Sequence, residues 1–186
     1  MSGGIYLMQD DGGLAEMTEQ EYASEDLLQE LLAQHPNLLA GDQISSGEPR
    51  RWLLVSRELS LASEEDGAGR WSVDHLFLDQ DAIPTIVEVK RSTDSRIRRE
   101  VVGQMLDYAA NAVVYWPVER LRARFEEGHE DPEQKLMELM GSSEVDQEDF
   151  WQRVKTNLQA GRVRLIYVSD KYPTKYLPSS GELLSF

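Results

Sequence analysis

The stretch WSVDHLFLDQDAIPTIVEVK, residues 71–90, decides the fold. Two apolar runs, 71–78 and 85–90, flank the polar turn segment DQDAIP. Both runs are apolar on both faces, as in strands at the middle of a covered sheet. Yet each run carries an acid: Asp74 in the first, Glu88 in the second. An antiparallel pair closing near Asp81 sets Asp74 directly across from Glu88. Opposed side chains have Cβ atoms roughly 4.5–5.5 Å apart, where like charges repel. Burying two such carboxylates unpaired is costly. Either one stays protonated, or a cation lies between them. Oxygen donors of this kind suit Mg²⁺ or Mn²⁺.

Lys90 extends the pattern. Side chains alternate along a strand, so Glu88 and Lys90 share a face, and the Val89 carbonyl lies on the backbone between them. A hard metal held by Asp74, Glu88 and that carbonyl would activate a water. The Lys90 ammonium would orient that water or stabilise charge developing on a phosphate. Phosphodiester hydrolysis needs this combination of groups.

Outward from this pair, the next segment is helical. Over 95–112, Ile97, Val101, Gln104 or Met105, Tyr108 and Ala112 recur at helical spacing. Gln104 and Tyr108 are four apart and share one face, which points back at the sheet. Gln104 would orient the scissile phosphate or a water, and Tyr108 would donate a hydrogen bond to phosphate. Residues 113–116 (VVYW) read as a buried strand stopped by Pro117. Two or three acidic amphipathic helices are expected between about 118 and 160, then a last strand over 162–168.

On the N-terminal side, 51–61 (RWLLVSRELSL) reads as a strand and 41–50 (GDQISSGEPR) as a loop. A helix starts after Ser24, with Glu25 and Asp26 in its first turn and Leu27, Leu28, Leu31 and Leu32 as its buried stripe. Residues 5–8 and 14–17 flank QDDGG as a short hairpin, with Gly12 or Gly13 supplying the positive φ. Strands alternating with helices predict an α/β sandwich. The expected organisation is an N-terminal hairpin extension over 1–20 and an α/β domain over 21–186. The core of that domain spans 24–116 and 162–170, with an acidic helical insertion at about 118–160.

The chain of 186 residues contains no cysteine, which rules out disulfides, thiolate zinc sites and thiol catalysis. No run approaches the roughly 20 apolar residues of a membrane span. With no signal peptide visible in the sequence, a cytoplasmic location is expected and no membrane partner. The net charge is −15. Residues 90–124 run against that balance, with eight basic side chains and four acids. A basic strip on an acidic body still binds phosphate, while the acidic remainder repels it from other surfaces.

Asp74, then Glu88-Val89-Lys90, then Gln104-x-x-x-Tyr108 together resemble the PD-(D/E)xK nuclease superfamily. The last element is similar to the glutamine–tyrosine motif of its RecB-type branch. SEDLLQELLAQHPNLL, residues 24–39, resembles the first helix of a branch that includes single-strand and mismatch-directed endonucleases and restriction-linked proteins. RLIYVSD, residues 164–170, is similar to the last core strand of that branch. Val73 stands where the family's name has proline.

The resemblance implies a restriction-endonuclease-like three-layer sandwich, with a central mixed β-sheet flanked by helices. It implies a Mg²⁺- or Mn²⁺-dependent endonuclease acting on DNA, structure-directed or linked to restriction or repair. RNA stays open as a substrate. Glu25 matches the family's helix glutamate by position and would join the metal site. Arg91, Arg96, Arg98 and Arg99 would hold backbone phosphates beside it, contacts that position DNA without reading its sequence. Duplex cutting would call for a homodimer or an additional domain. The alternative is a catalytically inactive nucleic-acid- or protein-binding module on the same fold, which the net charge favours.

Overall fold

The computed structural model describes residues 5–18, 22–61, 71–91, 102–110 and 116–169. Its centre is a four-stranded mixed sheet in the order β3-β4-β5-β6, with β3 at Leu53–Leu61, β4 at Trp71–Leu78, β5 at Pro84–Lys90 and β6 at Arg164–Ser169. β3, β4 and β5 run antiparallel in sequence, and β6 joins β5 in parallel. The β4–β5 register runs from Leu78–Pro84 to His75–Val87, the alignment expected from a turn closing near Asp81.

Helices lie on both faces of the sheet. On one face, α1 (Glu25–Gln34) and the single 3-10 turn at Pro36–Leu38 bring Leu28, Leu32 and Leu39 against Trp52, Phe77, Val87 and Val89. Ser24 caps α1, its hydroxyl accepting the Leu27 N–H at 3.1 Å. Of the four leucines expected in the buried stripe, Leu28 and Leu32 are buried, Leu31 is half-buried and Leu27 is exposed. A single flat contact with a sheet covers a narrower arc than the four leucines span.

The other face carries the larger core. Helix α3, residues 102–110, contributes Tyr108. The acidic helices α4 (Val118–Gly128), α5 (Pro132–Met140) and α6 (Gln147–Gln159) contribute Leu121, Phe125, Leu136, Phe150, Trp151 and Val154. These pack on Val55, Val73, Leu76, Leu78 and Ile86. Their charges point outward, and their apolar stripes close one layer of the molecule. The three helices share the sheet's own core.

Two further differences concern local structure. The loop expected at 41–50 begins with a one-turn helix, α2 (Gly41–Ile44). Gly41 lies against the Arg50 backbone so closely that a Cβ there would collide with the Arg50 carbonyl. The strand expected at 113–116 falls largely outside the described residues; Trp116 is buried just ahead of α4. At the N-terminus, β1 (Ile5–Met8) and β2 (Leu14–Met17) pair as an antiparallel hairpin, with Gly12 at φ 82° in its turn.

The β4–β5 turn is tied down from three directions. Asp79 is fully buried, and its Oδ1 accepts the N–H groups of Asp81 at 3.0 Å and Ile83 at 2.9 Å. Its Oδ2 accepts from Arg164 at 2.8 Å. Asn157 of α6 donates to the carbonyls of Asp81 and Ala82, and Gln80 accepts the Arg51 N–H at 2.9 Å. This knot fixes β5 against β4 at the turn end of the pair.

Candidate active site at the end of β5

The far end of β5 gathers the predicted residues. Glu88 follows Ile86 on the face of the larger core and is 1% exposed. Lys90, two residues on, places its Nζ 2.9 Å from Glu88 Oε1. Gln104 of α3 donates to the same Oε1 at 3.3 Å. Among the described residues, buried Glu88 Oε2 has no hydrogen-bond partner. Asp74 enters from β4, one step beyond the last β4–β5 register pair. There its Oδ2 accepts the Val89 N–H at 2.7 Å, so a side chain continues the contact between the strands.

From the opposite face, Glu25 at the start of α1 reaches round the strand end. Its Oε1 accepts the Arg91 N–H at 3.0 Å, and its Oε2 lies 3.9 Å from Lys90 Nζ. Lys90 therefore stands among three acids delivered by three elements: α1, β4 and β5.

The electrostatics follow from this crowding. Burial pushes the Asp74 carboxyl above its ordinary value, and Glu25 adds to that; the Val89 N–H and Lys90 oppose it. Burial also raises Glu88, with the Asp74 charge adding to the effect and Lys90 offsetting part of it. Burial by itself would lower Lys90. Its bond to Glu88 and the charges of Glu88, Asp74 and Glu25 outweigh that, so the ammonium is held above its usual range. The site thus keeps a firmly charged lysine beside two acids whose ionised forms are disfavoured.

Tyr108 takes a different position from the one expected. It is buried, and its hydroxyl donates to the Ser72 carbonyl at 2.8 Å while accepting from Gln104. Burial and the nearby acids raise its pKa, so it remains a phenol. In this arrangement Tyr108 braces Gln104 against β4 and does not present its hydroxyl outward. Arg91 turns its guanidinium to the start of α1, where Nη1 donates to the Ala23 carbonyl at 3.3 Å. Arg96, Arg98 and Arg99, expected to hold phosphates, lie outside the described residues.

The donor chemistry suits a hard divalent cation. Asp74 and Glu88 supply anionic oxygens, and Glu88 Oε2 is a buried acceptor that meets no donor among the described residues. Among the described residues, no three histidine or carboxylate side chains form a ready-made metal group. Lys90 already holds the other Glu88 oxygen. Asp74 and Glu88 are thus the pair that would hold a cation, with the remaining positions left to backbone, water or substrate. Among the described residues, no helix is long and apolar enough to cross a membrane.

No family model, curated protein or solved structure matches the chain.

Sequence reasoning missed two parts of this arrangement. The Ser72 carbonyl that anchors Tyr108 is a backbone group with no side-chain signal. His75 follows Asp74 on β4, so it faces the other side of the sheet, and it is fully buried there. Its contact with α1, Nε2 to the Gln29 carbonyl at 2.8 Å, had no local signature.

Proposed function

We propose that this chain is a metal-dependent phosphodiesterase that cuts DNA, with a restriction-endonuclease-like sandwich of the PD-(D/E)xK type. The observation that carries the reading is the Lys90 ammonium, 2.9 Å from a buried Glu88 whose other oxygen has no partner among the described residues and lies in the same region as Asp74. A purely structural ion pair would gain nothing from a second carboxylate in the same buried region. Paired acids with disfavoured charge and an adjacent cation are what phosphoryl chemistry uses.

In this reading Asp74 and Glu88 hold Mg²⁺ or Mn²⁺, with the Val89 carbonyl as a further donor. A bound divalent cation supplies the charge that acidifies water and neutralises phosphate. Lys90 stabilises the negative charge developing on the phosphate oxygens, and its raised pKa keeps it an ammonium across neutral pH. Gln104, held by Tyr108, orients the phosphate or the attacking water. Glu25 keeps Lys90 at the strand end and is the additional acid.

The test is cleavage of single-stranded, duplex and branched DNA with Mn²⁺, comparing wild type with Lys90→Ala. Cutting that requires metal and is lost in the variant supports the enzyme. A wild type that binds Mn²⁺ but leaves every substrate intact points to the alternative, a binding module on the same fold. The net charge of −15 favours that second reading.

A further inference from the structure

The face of the sheet that α1 covers holds an apolar cluster and, within it, a buried histidine. Phe77, Val87 and Val89 pack against Leu28 and Leu32, and among them stands His75. Its ring stacks on Phe77 at 5.6 Å, and Nε2 lies 2.8 Å from the Gln29 carbonyl of α1. A carbonyl only accepts, so Nε2 carries the proton and donates. Nδ1 is left buried with no partner among the described residues. A leucine would fill this face without leaving a polar atom unsatisfied, so packing alone does not account for the ring.

Geometry supplies the account. Gln29 and Glu25 are four residues apart on α1 and lie one above the other on the same helix face. Fixing the Gln29 carbonyl against β4 sets the rotation and axial position of α1 at Glu25, one turn away. Arg57 of β3 adds a second tether on this turn, through Asp26 and through the Gln29 side chain at 3.4 Å. His75 also follows Asp74 directly. Two consecutive β4 residues thus face opposite sides, one toward the carboxylate–lysine site and one toward the helix that brings Glu25 to it.

We infer that His75 is a positioning residue: through the Gln29 carbonyl it locks α1 so that Glu25 meets Lys90 and the Arg91 N–H. The inference rests on the reading that Glu25 serves the site at the end of β5. It adds a residue that touches neither substrate nor metal.

The side-chain amide nitrogen of glutamine reaches about as far as Nε2 of histidine; that of asparagine reaches only as far as Nδ1. His75→Gln and His75→Asn therefore differ in whether the Gln29 carbonyl is reached. The readout is hydrogen exchange of the Arg91 amide, whose acceptor is Glu25 Oε1, measured without metal against the core amides of Val87 and Leu121. His75→Asn is expected to speed Arg91 exchange about tenfold with the core amides unmoved, as for a local opening. His75→Gln is expected to keep wild-type protection. In a Glu25→Ala background, adding His75→Asn is expected to change Arg91 no further. Mn²⁺ affinity should follow the same order.

Unchanged Arg91 exchange in a folded His75→Asn overturns the inference. So does a His75→Asn effect that persists in full without Glu25. If His75→Asn does not fold, His75→Gln decides: lost Arg91 protection over an intact core overturns the inference, and retained protection supports it. Because the amide readout uses no metal, its failure is separable from failure of the nuclease reading, which Mn²⁺ cleavage by wild type reports.

Discussion

Lys90 Nζ lies 2.9 Å from Glu88 Oε1, and the two side chains differ sharply in exposure, 28% for the lysine and 1% for the glutamate. The lysine reaches water, whereas the glutamate depends on its partners. Removing the lysine is therefore felt as an uncompensated charge at Glu88. Lys90→Ala should lower stability by about 1–3 kcal/mol near pH 8. The pH dependence has a definite sign. Glu88 is raised in the folded state, so its contribution is fully present below its ordinary value of 4.5 and is lost as pH rises through the folded value. Without Lys90 the folded value rises further. The deficit should therefore shrink between pH 8 and pH 5, and urea unfolding at both pH values measures it. An equal deficit at both would contradict the assignment.

Asp74 gives the opposite change in stability. Its carboxyl is raised by burial above the ordinary 3.8, so ionised Asp74 destabilises the fold at neutral pH. An asparagine oxygen can still accept the Val89 N–H. Asp74→Asn should therefore gain about 0.5–1 kcal/mol at pH 8 while losing all metal-dependent cutting, the trade expected of a site tuned for chemistry. Thermal melts with and without Mn²⁺ give both readouts. The variant should melt higher than wild type alone and gain nothing from the ion. A variant that melts lower at pH 8 would sink the claim that burial sets the Asp74 shift.

Tyr108 acts on Gln104. Its hydroxyl bridges the Gln104 amide and the Ser72 carbonyl, so Tyr108→Phe frees the glutamine to turn away from Glu88 and leaves the carbonyl without this donor. The expected stability loss is about 1 kcal/mol. Kinetically, kcat should fall about tenfold, equivalent to about 1.4 kcal/mol of transition-state stabilisation, with KM nearly unchanged. If Tyr108 instead contacted phosphate directly, KM would rise as well.

Legibility in the sequence followed the range of the physics. The β4–β5 pairing was readable because a tight turn fixes register locally. Asp74 and Glu88 stood out because each acid interrupts an apolar run. The start of α1 was readable from Ser24 and the acids after it. The helical phase of Gln104 and Tyr108 was also local, but the direction of the Tyr108 hydroxyl was not, because Ser72 lies 36 residues away. The helices from 118 to 160 showed amphipathic periodicity without showing which surface they cover. Phe125, Leu136 and Val154 meet the sheet only through tertiary packing, which no local period encodes. The His75–Gln29 contact spans 46 residues and was invisible for the same reason.

The knot at the near end of β5 separates stability from chemistry. Asp79 is fully buried, holds the N–H groups of Asp81 and Ile83, and neutralises Arg164 at 2.8 Å with Arg50 at 3.8 Å. Asp79→Ala strips two turn amides of their acceptor and leaves the Arg164 guanidinium, stacked 5.6 Å from the Trp52 ring, without its carboxylate. Breaking a buried pair from one side costs about 3–5 kcal/mol; Arg164 and Arg50 retain some access to water, so about 2–3 kcal/mol is expected here. The carboxylate–lysine site lies at the opposite end of the strand and, among the described residues, shares no partner with Asp79. Within the folded fraction, Mn²⁺ affinity and the Lys90–Glu88 coupling should therefore stay at wild-type values. Urea unfolding combined with Mn²⁺ titration at low temperature checks both. A loss of metal affinity in folded Asp79→Ala would mean that the register of β5 is set at this turn and transmitted to Glu88, and that the two ends of the strand are one cooperative unit.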